Sequence, residues 1–216
     1  MTVQALSEFP SFPSGVVDAF GPIGVRMHFA ENEEIYAQEE DADLIYQVVE
    51  GVVRTSRLLS DGRRQIGDFY YPGEFFGMEA GDSHRFSADA LGDCTILVAK
   101  RSAVRHCGEQ REQLERLIWN ATTQELARTQ DHLFVLGRRG ACEKVAAFLM
   151  SAADRAKAEL TPLAMSRQDI ADYLGLTIET VSRMLTQLQS EGLVKFFGYR
   201  NFQVIRPAGL SRLVAP

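Results

Sequence analysis

The run from Glu109 to Leu136 contains neither proline nor glycine, and Leu114, Leu117, Ile118, Ala121, Leu126, Leu133 and Leu136 recur within it at helical separations. One helix of about 28 residues is about 40 Å long. That exceeds one edge of a small domain, so the helix must join modules or find a partner for its apolar seam. It can pack on its own chain, pair with the same helix of a second copy, or do both. Leu114, Leu117, Ile118 and Ala121 are the expected dimerisation residues. Arg128 and His132 interrupt the heptads, so a pure leucine zipper is not expected.

Upstream of this run the period is different. GVRMHFA (24–30), EEIYAQ (33–38), LIYQVVE (44–50), VVRTSRLL (52–59), RRQIGDFY (63–70), RFSADA (85–90) and CTILVAK (94–100) read as short strands. Gly51, Asp61-Gly62, Pro72-Gly73 and Gly92-Asp93 separate them, and Asp-Gly predicts a tight type I′ hairpin. Many short strands at regular spacing predict a barrel or jelly roll. Downstream, Gly137-Arg138-Arg139-Gly140 breaks the long helix and forms a hinge. Val145, Phe148, Leu149, Ala152 and Ala156 then mark another amphipathic helix, ended by a loop at Thr161-Pro162.

A chain of 216 residues with 45% hydrophobic side chains has material for ordinary cores. No apolar run approaches the roughly 20 residues that cross a bilayer. MTVQALSEFPSFPSG has no positive charge ahead of an apolar stretch, so a secretory signal is not expected. Cys94, Cys107 and Cys142 are odd in number and widely spaced, which fits reduced thiols in a cytoplasm. His28, His84, His106 and His132 form no metal motif, and the adjacent pair His106-Cys107 lacks a third ligand. No nucleophile–base pair or metal set suggests an enzyme. Among the thiols, Cys94 in a strand should be buried and inert, and Cys107 is the better candidate for exposure.

The net charge of −6 conceals a segregation. Residues 138–216 carry 11 Lys and Arg against 7 Asp and Glu, whereas residues 1–137 carry 12 against 22. One end of the chain is therefore suited to an anionic polymer and the other is not. Within the basic part lies SRQDIADYLGLTIETVSRMLTQLQSEGLV, residues 166–194. Ser166 with Asp169 matches a capping box, which starts a helix whose inner face is Ile170, Ala171 and Leu174. Gly175 turns the chain, and Thr177 can cap a second helix with Val181, Leu185 and Leu188 inward. Two short helices joined by a Gly-containing turn form a helix-turn-helix. LVKFF–GYRN–FQVI beyond it alternates as a hairpin wing.

Glu179, Ser182 and Arg183 lie at i, i+3 and i+4, so the second helix presents all three near its N-terminus. In a major groove Arg pairs with guanine O6 and N7, and Glu accepts from cytosine N4. The alternative for the same pattern is a solvated face with an ordinary Glu–Arg ion pair.

ETVSR on the second helix, with a β-roll, a long helix and a C-terminal winged helix, resembles the CRP/FNR superfamily of bacterial transcription regulators. RQDIADYLGLTIETVSRMLTQL is most similar to its FixK-type branch. The resemblance covers nearly the whole chain. It implies an α+β fold: a cyclic-nucleotide-binding-like β-roll, or jelly roll (1–108), a long central dimerisation helix (109–137) and a winged helix-turn-helix (138–216). It also implies a homodimer on a palindrome of TTGA type, with Glu179, Ser182 and Arg183 reading bases. Ser166, Arg167, Gln168, Thr177 and Arg200 match backbone contacts, and RNA polymerase is the implied partner.

Members that bind cyclic AMP place Gly-Glu in the roll and Arg-Ser shortly after. Here Gly77-Met78 and Phe86-Ser87 occupy those places, with Arg85 one position off. Iron–sulfur members carry an N-terminal cysteine cluster, and residues 1–93 contain no cysteine. Haem-binding members use a Cys and a His near FFGMEA, where Gly77 and Glu79 stand. The expectation is an activator of oxygen-limitation genes without a cofactor; a ligand-gated regulator with an unrecognised small molecule in the roll is the alternative.

Overall fold

The computed structural model describes residues 23–104, 111–138, 140–156 and 159–214. Eight strands make the roll: β1 (Val25–Phe29), β2 (Glu34–Tyr36), β3 (Leu44–Glu50), β4 (Val53–Leu58), β5 (Arg64–Tyr70), β6 (Phe75–Phe76), β7 (Ser87–Ala90) and β8 (Cys94–Lys100). They form two antiparallel sheets, ordered β1-β8-β3-β6 and β2-β7-β4-β5. Tyr36, Tyr46, Val48, Val53, Tyr70, Phe76, Ile96 and Val98 fill the space between them. β3 and β8 are buried on both faces, because Ile45 and Leu97 point to a second cluster outside the roll. That is why LIYQVVE and CTILVAK read as apolar runs with little alternation.

The Asp61-Gly62 hairpin joins β4 and β5, but it is not type I′. Only Gly62 has positive φ, at 83°, and its N–H donates to the Leu59 carbonyl at 2.9 Å. Leu59 N–H reaches the Arg63 carbonyl at 2.8 Å, so the loop has three residues with glycine at the left-handed position. β6 escaped the sequence reading because two residues are too few to show a period.

A short α1 (Arg101–Val104) precedes α2 (Arg111–Gly137), the long helix. Three of the four expected dimerisation residues do not lie on a free seam. Leu114 is 4% exposed and packs with Ile45, Phe75, Leu97 and Val104 of its own chain. Ile118 and Ala121 flank the same cluster, and Leu117 is half-buried. Positions 114, 118 and 121 form one stripe that faces the roll, closed at Leu114 and half-covered at Ile118 and Ala121. A different stripe is open: Trp119 (70% exposed), Leu126 (58%) and Leu133 (64%), spaced by heptads, with Phe134 (75%) beside it. It lies roughly 120° around the helix from Leu114.

α3 (Ala141–Ala156), β9 (Thr161–Pro162), α4 (Arg167–Leu174), α5 (Ile178–Ser190), β10 (Val194–Phe197), β11 (Asn201–Val204) and α6 (Pro207–Val214) complete the chain. Thr161-Pro162, expected as loop, is a strand that pairs with β11, giving a three-stranded sheet ordered β10-β11-β9. Proline is tolerated there because β9 is an edge. Val145, Phe148, Leu149, Ile170, Leu174, Val181, Leu185, Leu188, Phe202 and Leu210 form this module's core, which continues into Ile66, Phe69 and Tyr71 of the roll.

Candidate nucleic-acid interface

The local sequence builds the helix-turn-helix. Ser166 Oγ accepts from Asp169 N–H at 3.1 Å, and Asp169 Oδ2 accepts from Ser166 N–H at 2.9 Å, so the capping box is present in both directions. Such a cap is worth about 1 kcal/mol. Gly175 ends α4 at φ 63°, a left-handed conformation that favours glycine. Thr177 then caps α5, its Oγ1 accepting from Thr180 N–H at 3.3 Å.

Val181, Leu185 and Leu188 are buried, which turns Glu179 and Arg183 outward, with Ser182 half-buried between them. Arg183 donates only a long 3.5 Å bond to Thr180 Oγ1, so its guanidinium is nearly uncommitted. Glu179 is held below the usual carboxylate range by its own backbone N–H, then by the Thr177 hydroxyl and the Arg183 charge. It is thus an anion that can accept a base donor at neutral pH. The three residues expected to read bases share one open face.

The expected backbone contacts divide. Ser166 directs both its N–H and its hydroxyl to Asp169, the latter at 2.7 Å, which leaves it no donor for a phosphate. The Gln168 amide nitrogen donates to Asp172 at 2.6 Å and keeps one N–H. Arg167 and Thr177 are exposed at the starts of the two helices. Arg200, on the turn between β10 and β11, is exposed, with Glu31 of the roll 3.9 Å away. The sequence reading missed the neighbours Tyr199, 89% exposed at that turn, and Lys195, whose Nζ lies 4.9 Å from the Phe197 ring. Alternation alone carries no signal for either.

Asp169 has a second role that its capping position hid. Arg54 Nη1 and Arg64 Nη2 both reach its Oδ1 at 2.7 Å. Burial alone would raise its pKa, but the Ser166 hydrogen bonds and the two arginines outweigh burial and keep it low.

Cys94 is buried and donates to the Val52 carbonyl at 3.3 Å, and burial pushes its thiol up, as expected of an inert side chain. Cys107 and His106 lie outside the described residues. Among the described residues no group of His, Cys, Asp and Glu could hold a metal, and no helix is long and apolar enough to cross a membrane.

A roll, a long helix and a winged helix-turn-helix with an open recognition face define a DNA-binding transcription regulator. The family profile described as "Bacterial regulatory proteins, crp family" matches residues 163–194, and that described as "Cyclic nucleotide-binding domain" matches residues 26–111. The nitrogen fixation regulation protein FixK of Bradyrhizobium diazoefficiens is 43% identical over 201 residues, covering 91% of this chain and 84% of its own. FixK of Rhizobium meliloti is 44% identical over 186 residues, 86% and 85% of the two chains. The FixK2 structure from Bradyrhizobium japonicum superposes with a TM-score of 0.83 at 44% identity, covering 90% of this chain and 98% of that one. The chain belongs to the CRP/FNR family of transcription regulators, in its FixK-like branch. These relatives are named as regulators, not enzymes.

The cyclic-nucleotide-binding fold raises the question of fit. A cavity of about 340 Å³ lies between roll and α2, lined among others by Tyr36, Tyr70, Glu79, Arg85 and Glu125. Among the described residues Arg85 is the only guanidinium in its lining, and Glu79 holds it at Nε (2.8 Å) and at the backbone N–H (3.0 Å). Asp68, Glu79 and Glu125 line the same space, and Tyr70 donates to Glu125 at 2.8 Å. These residues do not fit a cyclic phosphate, which would meet three carboxylates and a single arginine already paired with Glu79.

Proposed function

We propose that this chain acts in the cytoplasm as a homodimeric activator that binds a TTGA-type palindrome without cyclic AMP, recruits RNA polymerase, and serves genes used under oxygen limitation. The open face of α5, with Glu179, Ser182 and Arg183 together, carries the reading. Arg167, Gln168, Thr177 and Arg200 hold phosphates, with Ser166 acting through the cap and not as a donor. Residues 1–108 act as roll, 109–137 as dimerisation helix and 138–216 as DNA-binding domain. The dimer seam runs along Trp119, Leu126 and Leu133, the stripe of α2 left open by the roll.

Two recognition helices related by a twofold axis must enter successive major grooves about 34 Å apart. A palindrome of TTGAT and ATCAA separated by about four base pairs meets that geometry. Five further base pairs between the half-sites turn one of them to the opposite face of the duplex. Tight binding to the first duplex and its loss on the second is the expected result, without cyclic AMP in either case. Equal affinity for both duplexes refutes the dimer geometry, and a large gain on adding cyclic AMP refutes the ligand independence. The roll cavity supports a second reading, a small uncharged or cationic effector, to which the same binding assay responds.

A further inference from the structure

The β4–β5 hairpin of the roll grips the first helix of the helix-turn-helix. Arg64 on β5 donates from Nη2 to Asp169 Oδ1 at 2.7 Å and from Nε to Asp172 Oδ2 at 2.8 Å. Its planar fork thus spans two carboxylates at i and i+3 on α4. Arg54 on β4 sits behind it, bonded to Asp169 at 2.7 Å and to Asp89 at 2.8 Å. On the other side of the contact, Arg155 of α3 donates to Glu74 and to the Phe69 carbonyl, each at 2.6 Å, and Arg128 of α2 reaches Asp68 at 2.9 Å. Between the two ionic clusters the Phe69 ring lies 5.3 Å from Tyr173 and 6.3 Å from Phe148.

This contact leaves the recognition face free. Arg167, Gln168, Thr177, Glu179 and Arg183 all remain exposed while Asp169 is buried and Asp172 is half-buried. The grip and the DNA-facing residues therefore use largely different sides of the same motif, joined where Gln168 donates to Asp172 at 2.6 Å. α2 ends at Gly137 and α3 begins at Ala141, so few residues join the two helices.

We propose that Arg64, acting through Asp169 and Asp172, is a positioning residue for operator binding. A fork held at two points one turn apart fixes the rotation of α4 about its axis as well as its distance from the roll, which a single point charge cannot do. Each roll thereby presents its α5 in one orientation, and the pair arrives at a palindrome already spaced for it. Preorganisation of this kind removes orientational freedom that binding otherwise has to freeze.

The proposal rests on the DNA-binding reading, and the test separates the two. The full chain first selects its preferred palindrome from a random duplex library. Affinities for that palindrome and for a duplex with one half-site are then measured at several salt concentrations for wild type, Arg64→Gln, Asp172→Asn, the double variant, Arg64→Lys and Arg183→Ala. Asp169 is left intact because its capping box supports α4 itself. Arg64→Gln and Asp172→Asn should each lose about 5- to 20-fold on the palindrome. Neither should change affinity for the single half-site. The double variant should lose no more than the worse single one, as coupled residues do. Arg64→Lys should recover only part of the loss, and the salt slope should stay that of wild type.

Undiminished palindrome affinity in Arg64→Gln overturns the proposal. So does equal weakening of half-site and palindrome, which marks a folding defect. A salt slope lowered by about one means that Arg64 touches a phosphate directly, and tighter binding by Asp172→Asn means that this carboxylate only repels DNA; either outcome also overturns it. Loss of binding in Arg183→Ala with none in Arg64→Gln leaves the DNA-binding reading standing and removes the grip. A wild-type chain that selects no duplex removes both.

Discussion

Leu126→Glu tests which stripe of the long helix meets a second copy. Leu126 is 58% exposed in the single chain. Complete burial of a leucine side chain is worth about 1.5–3 kcal/mol, so covering the open part contributes on the order of 1–2 kcal/mol per copy. Both copies lose that contribution, and two carboxylates facing across the axis add a repulsion of about 1 kcal/mol or more. A total near 4 kcal/mol corresponds to a dimer dissociation constant about a thousandfold higher. Sedimentation equilibrium should show a dimer for wild type and a monomer for the variant at micromolar concentration, with the far-ultraviolet circular dichroism unchanged. Leu114→Ala is the counterpart. At 4% exposure within the roll-facing cluster, it should destabilise the fold by about 2–5 kcal/mol and leave the dimer constant nearly unmoved. A Leu126→Glu chain that remains dimeric, or a Leu114→Ala chain that dissociates without loss of stability, refutes the assignment.

Arg183→Ala should remove about 1–3 kcal/mol of discrimination at one base pair. Arg200→Ala should instead weaken all sequences alike and lower the salt slope by about one; a half-site panel at several salt concentrations distinguishes them. Burial depresses the pKa of His132, which stacks on Tyr173 at 3.8 Å, and His84 is depressed for the same reason. The unfolded chain therefore binds protons near the ordinary value of 6.5 that the folded chain refuses, so stability is retained above that pH and falls below it. His132→Gln should reduce, and not abolish, the drop in unfolding free energy between about pH 7 and 5.5, and an unchanged slope contradicts its buried neutral state. Gly175→Ala should cost about 1 kcal/mol from left-handed strain alone, since only Leu136 Cδ2, at 3.9 Å, lies near the added methyl. Denaturant unfolding checks this, and a loss of several kcal/mol signals a clash that the space around Gly175 does not contain.

The helix-turn-helix was readable because its determinants are local. Ser166, Asp169, Gly175 and Thr177 set caps and turn within a few residues, and the periodicity of Val181, Leu185 and Leu188 orients Glu179 and Arg183 without reference to the rest of the chain. The strands of the roll were legible for the same reason, β3 and β8 included although packing on both faces blurs their alternation, and only β6 was too short to read.

The amino-acid sequence by itself determined the order of modules, the caps and the outward face of α5, since each follows from backbone preference and from side-chain period over a turn or two. Only the tertiary structure decided which stripe of α2 the roll covers, because Leu114 and Leu126 are equally apolar and differ only in what packs on them. It alone decided that Asp169, an ordinary capping carboxylate in the sequence, also anchors Arg54 and Arg64 from more than a hundred positions away. An ion pair of that span leaves no periodic trace along the chain, since its geometry exists only after two separately folded surfaces have met.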